Sequence, residues 1–136
     1  MANSFATRED DTPTLAFEKP VLAYATGAEL KPSIVLDSVL CSADGDGNKY
    51  YDTGQLLGKV TATGKYSYFS PSGSDGRETA RGVLVRRVNV GFGDAPGAMY
   101  SAFAAFNVSN LTGYAGNESA VQADLPNCEF LTVTQL

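Results

Sequence analysis

The chain has 136 residues, of which 43% are apolar, 18% are charged and 14 are glycine, with a net charge of −5. This fits one domain with a real core, and the charge-poor, glycine-rich composition fits a compact β-rich protein rather than a disordered one. The acidic balance argues against general nucleic-acid binding, and the absence of histidine removes Ser-His-Asp and Cys-His catalysis and most zinc sites.

Residues 1–20 are polar and punctuated by Pro13 and Pro20, with Phe5, Leu15 and Phe17 as the large apolar residues. Alone, such an arm buries too little surface to offset its ordering entropy. Two readings stay open: a frayed terminus, or an arm that orders on a partner through Phe5 and Phe17. The arm has no apolar signal core, and no window of the chain approaches ~18 consecutive apolar residues, so neither secretion nor a membrane span is expected. The Asn-X-Ser/Thr triplets at Asn107, Asn110 and Asn117 then read as chance.

From residue 21 a single domain is expected to run to residue 136. Val21–Ala25 and Ile34–Cys41 are strand candidates, followed by a turn-rich stretch, SADGDGNKYYDTG. Gln55–Val60 and Lys65–Phe69 read as strands joined at Ala62–Gly64, and Thr63-Gly64-Lys65 between them reads as a hairpin turn. Ser70–Gly76 is a loop by its Pro, Gly, Ser and Asp content. Gly82–Val90 is the strongest strand pattern. Its valines change parity at Arg86-Arg87, and a one-residue bulge there would return both pairs to one face. Gly91–Gly97 reads as a loop, and Met99–Val108 is ambiguous in period but favours a strand. Glu118–Leu125 reads as a short helix with Asn117 at its N-cap and Pro126-Asn127 as its stop. Glu129–Thr134 reads as a final strand.

The chemistry these residues suggest is sparse. Gly58-Lys59 and Gly64-Lys65 lack the spacing, the following Ser/Thr and the helix of a phosphate loop. Asp44-Gly45-Asp46-Gly47-Asn48 resembles the start of a calcium loop, but the sixth and twelfth positions hold Lys49 and Gln55 where Gly and Glu are needed, so a turn is expected. Cys41 and Cys128 read as buried free thiols. Arg77, Arg81, Arg86 and Arg87 concentrate the basic charge and suit a subunit contact with an acidic partner surface at least as well as a nucleic acid, with solvated strand-face residues as the plainer reading for some of them. Tyr50, Tyr51, Tyr66 and Tyr68 suit either sugar stacking or aromatic packing, the latter being the plainer account. A carboxylate enzyme such as a glycosidase or lyase would have Asp44 and Asp46 as its clustered candidates. No enzyme, cofactor or metal site is expected.

One ordered pattern goes further. Gly54-x-x-Leu57-Gly58-Lys59-Val60-Thr61-x-Thr63-Gly64-Lys65-Tyr66 is followed by Ser74-Asp75-Gly76-x-Glu78-Thr79-Ala80-x-Gly82-Val83-Leu84. It resembles the lambda-like head decoration proteins of tailed bacteriophages, strongest over residues 54–85 and extending over roughly 15–135. The resemblance implies an α+β, mostly β domain: short strands in a barrel-like sheet with one short helix and a flexible N-terminal arm. It implies a homotrimeric cement protein on the outside of the expanded virion head, at threefold or quasi-threefold sites, holding the major capsid protein against the pressure of packaged DNA. Assembly in host cytoplasm would keep both cysteines reduced. It favours an arm that orders on the capsid, with Phe5, Arg8, Leu15 and Phe17 as candidate contacts, and makes Arg77, Arg81, Arg86 and Arg87 candidates for subunit contacts. The rival reading is another virion β module, such as a tail or carbohydrate-binding component.

Overall fold

The computed structural model describes residues 21–23 and 28–132. The arm residues Phe5, Arg8, Leu15 and Phe17 lie outside them, as do the ends of the strands expected at 21–25 and 129–134.

Nine strands are described: β1 (Glu29–Leu36), β2 (Tyr50–Tyr51), β3 (Leu56–Lys59), β4 (Tyr66–Tyr68), β5 (Gly82–Leu84), β6 (Val88–Asn89), β7 (Ala95–Ala102), β8 (Ala105–Asn107) and β9 (Glu129–Leu131). The helix α1 (Glu118–Asp124) precedes β9. Five strands close into a barrel in the order β1-β4-β3-β5-β7, while β2-β6 and β8-β9 form small separate sheets. The expected mostly β domain with a barrel-like sheet and a short helix is therefore what forms.

Period-2 geometry sends successive side chains to opposite faces of a strand, and here both faces are buried. Leu56 of β3 and Val83 of β5 enter one core with Phe69, Phe106, Tyr114, Val121 and Leu125. Their neighbours Leu57 and Leu84 enter a second core with Ile34, Leu36, Tyr51, Val90 and Met99. The central strands thus partition the molecule, which is why they read as continuous apolar runs rather than alternating ones. The first core is aromatic. Phe130 stacks on Tyr114 at 5.1 Å between centroids and lies 5.5 Å from Phe106, which in turn meets Tyr100 at 6.2 Å. Val121 and Leu125, one helical turn apart, close it from outside.

The β3–β4 hairpin forms as the sequence predicts, with Val60 N–H donating to the Lys65 carbonyl at 2.8 Å and Gly64 at φ 75°. The loop after β4 lies back along β3. There Thr61 N–H donates to the Asp75 carbonyl at 2.9 Å and Ser70 N–H to the Arg77 carbonyl at 2.8 Å. A Cβ on Gly58 would sit 2.7 Å from Arg77 Cα, and one on Gly76 (φ 111°) would strike the Lys59 carbonyl and the Thr61 hydroxyl. Both glycines are demanded by close backbone approach rather than by flexibility.

Several expectations about the strands are corrected. Gly82–Val90 is not one bulged strand. It breaks at residues 85–87 into β5, in the barrel, and β6, paired with β2, so Val83 and Val90 serve different cores. The bulge falls instead in β1, where the register to β7 shifts between Lys31 and Ile34 and Ser33 takes φ 64°. β7 starts inside the expected Gly91–Gly97 loop. Pro96 is tolerated there because β5 reaches only Met99 and Tyr100, leaving Pro96 paired on one side. Asn117 stands at the N-cap of α1 as expected, though its side chain makes no cap bond and donates to the Gly113 carbonyl at 3.0 Å.

Candidate functional site

The β1–β7 ladder gives the molecule two ends. Glu29 pairs with Ala102 at one end and Leu36 with Ala95 at the other. Residues 37–41 and 91–94 therefore share an end, and Phe103 lies at the opposite one.

At the first end, Asp94 joins the two loops. Its carboxylate accepts from Ser38 N–H at 2.8 Å and pairs with Lys65 Nζ at 2.6 Å. These two contacts, the lysine first, hold its pKa at about 2. Asp37 accepts from Val39 N–H at 2.7 Å and Leu40 N–H at 3.0 Å, and Lys49 Nζ donates to the Ser38 carbonyl at 3.1 Å. This bonded framework carries two large apolar side chains into solvent: Val39 is 81% exposed and Phe92 is fully exposed.

Beneath these loops lies a buried polar chain. The Tyr51 phenol is fully buried and donates to the Asp37 carbonyl at 2.7 Å. Its single proton being committed there, the contact with Ser67 Oγ at 2.9 Å requires Ser67 to donate to the phenol oxygen. Burial raises the Tyr51 phenol above its ordinary range. Nothing in the local sequence distinguishes Ser67 from a solvent-facing residue, yet it is fully buried.

At the opposite end the backbone is strained. Phe103 adopts φ 58°, a region costly for a bulky residue, and remains 58% exposed at the corner between β7 and β8. Its N–H donates to the Asn127 carbonyl at 3.0 Å. Residues 21–23 run antiparallel to β8, with Ala23 N–H on the Ala105 carbonyl at 2.7 Å and Asn107 N–H on the Val21 carbonyl at 2.8 Å. Val21 is buried in the aromatic core, so the chain that follows the arm enters the domain anchored to β8.

The four arginines differ in their surroundings. Arg77 Nε is held by Asp75 at 3.0 Å. Arg87 grips Asp52 through Nε at 3.0 Å and a second nitrogen at 3.1 Å, and lies 4.8 Å from the centre of the Tyr50 ring. Arg81 and Arg86 are exposed. Asp44 accepts from Asp46 N–H at 2.8 Å and Asn48 N–H at 2.9 Å, which is the expected turn. These N–H groups, Asn48 first, hold its carboxyl below the usual range. Of the tyrosines weighed for sugar stacking, Tyr51 and Tyr66 are buried, because alternation places them in the second core, and Tyr68 packs against it. Cys41 is buried as expected, its thiol contacting the Tyr50 carbonyl at 3.4 Å. Cys128 is only half-buried, since it leaves the Pro126-Asn127 turn at the margin of the first core; its thiol is pushed up by burial. Among the described residues, no cluster of three or more His, Cys, Asp or Glu is placed to hold a metal ion.

These features define a small β module with exposed apolar side chains on hydrogen-bonded loops. Residues 28–125 match the family Bacteriophage lambda head decoration protein D (HDPD), and the chain belongs to that family. The family is one of structural capsid proteins rather than enzymes, and its role is decoration of the phage head. No curated protein matches the chain.

Proposed function

We propose that this chain is a cement protein, binding the outer surface of the expanded phage head as homotrimers at threefold or quasi-threefold sites. There it clamps neighbouring copies of the major capsid protein against the pressure of packaged DNA. The observation that carries the reading is the family match over residues 28–125. The bonded loop frameworks fit a part that transmits load. The net charge of −5 suits an outer rather than a DNA-facing surface. Assembly takes place in host cytoplasm, and neither nucleic acid nor membrane is a partner.

In this reading residues 1–20 order on the shell, with Phe5, Arg8, Leu15 and Phe17 as contacts, and add to a strand edge of the capsid protein. Three arms from one trimer multiply a weak contact through effective concentration. The test is to add purified protein to expanded, undecorated shells and reconstruct them. Trimers at local threefold positions are expected; no binding, or bound monomers, would count against the reading. Deleting residues 1–18 is expected to leave the melting temperature unchanged while weakening shell binding at least tenfold. Undiminished binding would remove the arm from the mechanism.

A further inference from the structure

A cavity of about 450 Å³ opens where the start of β1, the end of β7 and the residue before β5 converge. Glu29, Lys31, Arg81 and Ser101 stand at it, and Tyr66 reaches it from β4. Lys31 and Arg81 are exposed, and neither makes an ion pair among the described residues. Tyr66 is only 5% exposed, yet its phenol makes no hydrogen bond among those residues. Its neighbours in the same core are bonded: Tyr51 donates to the Asp37 carbonyl, and Tyr68 accepts from Ser42 N–H. Among the described residues, Thr53 Oγ1 is the side-chain oxygen both sealed from solvent and without a partner. The unbonded Tyr66 hydroxyl therefore meets the cavity, a donor with no acceptor, beside two cations with no anion.

We infer that in the free chain this cavity receives the acidic stretch of the chain's own N-terminal arm, Glu9-Asp10-Asp11. Its carboxylates meet Lys31, Arg81 and the Tyr66 phenol, and Arg8 answers Glu29. The charge order supports this occupant: Arg8-Glu9-Asp10-Asp11 sets one cation before three anions, and the cavity offers one anion with two cations. Reach supports it too. Ala23 is bonded to Ala105, and Ser101 is four residues from Ala105, at most about 14 Å of chain. Twelve residues separate Asp11 from Ala23, about 40 Å when extended. A tethered segment has a high effective concentration, whereas a second copy would have to approach against the repulsion of two chains of net charge −5. Exposed ion pairs add little to stability; here they fix where the arm rests, and a partner that takes the arm must first displace it. The contact belongs to the free chain and does not rest on the decoration reading.

The test treats the full chain, as a mixture of unlabelled and ¹⁵N-labelled copies, with a water-soluble carbodiimide. This reagent joins a carboxylate to a lysine amine in contact with it, and the Lys65–Asp94 pair at 2.6 Å supplies the internal standard. The expected product is an amide from Lys31 to Glu9, Asp10 or Asp11, both peptides carrying the same isotope. The standard without any Lys31–arm product would overturn the inference. So would arm products at the exposed Lys59 as abundant as those at Lys31, or products that pair labelled with unlabelled peptides. Two variants that leave Lys31 in place, each checked for an unchanged circular dichroism spectrum, add specificity. Arg81→Glu should cut the Lys31 product roughly fivefold or more. Tyr66→Phe loses no bond within the domain, so it should keep the parent melting temperature while the product falls roughly threefold. Undiminished product in both variants would show that the arm meets Lys31 by collision rather than by docking, and would sink the proposal. No shells enter this experiment, so failure to bind shells would leave its outcome intact.

Discussion

The two faces of the central strands are buried by different means. On one side, Leu56 and Val83 meet an aromatic core of Phe106, Tyr114 and Phe130, where stabilisation is non-directional and scales with area. On the other, Leu57 and Leu84 share their core with a hydrogen-bonded chain, Ser67 to Tyr51 to the Asp37 carbonyl, directly under the loops that carry Val39 and Phe92. The first core holds the entering chain at Val21 and the helix. The second fixes the position of a surface. Directed bonds are the costlier way to fill space, and they are found where the geometry of a loop matters.

Breaking the aromatic core should have the largest effect. Phe106→Ala removes a fully buried ring with aromatic neighbours on two sides and is expected to cost about 3–5 kcal/mol in urea unfolding. It should leave the bonds at Asp94 to be lost only with global unfolding. Tyr51→Phe attacks the other core without creating a cavity. It strands the Asp37 carbonyl and the Ser67 hydroxyl, and about 1–3 kcal/mol should be lost. Amide exchange at Val39 and Leu40 should accelerate; unchanged exchange would show that the polar chain does not fix the loop.

A smaller effect sharpens the contrast at the other end. At φ 58°, Phe103→Gly should be more stable than Phe103→Ala by about 1–2 kcal/mol, the reverse of the usual order, because only the alanine keeps a Cβ in the left-handed region. Equal stabilities would mean that the backbone there is unstrained. The smallest effect is electrostatic. Asp94 has its folded pKa depressed to about 2 from 3.8, so its contribution is full above the unfolded value and is lost as the pH falls through about 2. Asp94→Asn should therefore lower the melting temperature modestly at pH 5–7, and the difference from the parent should shrink between pH 4 and pH 2. High salt should reduce it as well, since both partners are partly exposed.

Much of the local structure was legible. Thr63-Gly64 marked its hairpin, Pro126-Asn127 stopped α1 as expected, and the glycine pattern from Gly54 to Gly82 carried the family likeness. The reason behind two of those glycines was not legible. Gly58 and Gly76 are set by the Arg77 backbone and by Lys59 and Thr61, contacts that exist only once the loop folds back along β3. The exposure of Phe92 was hidden for a similar reason. Phe92 sits in a short Gly-rich run that reads as a turn. Of the residues proposed for contacts, Arg77 and Arg87 proved to hold Asp75 and Asp52 within the chain. An arginine's spacing does not reveal whether a carboxylate is waiting for it.

By itself the sequence determined the β3–β4 hairpin and the short helix, because those depend on neighbours within a few residues. The tertiary structure alone decided which core each apolar side chain enters, where Gly82–Val90 breaks, and that Ser67 is buried while Phe92 is not. An apolar residue on a two-sided strand looks the same whichever core receives it. Only the partners brought from distant parts of the chain settle the choice.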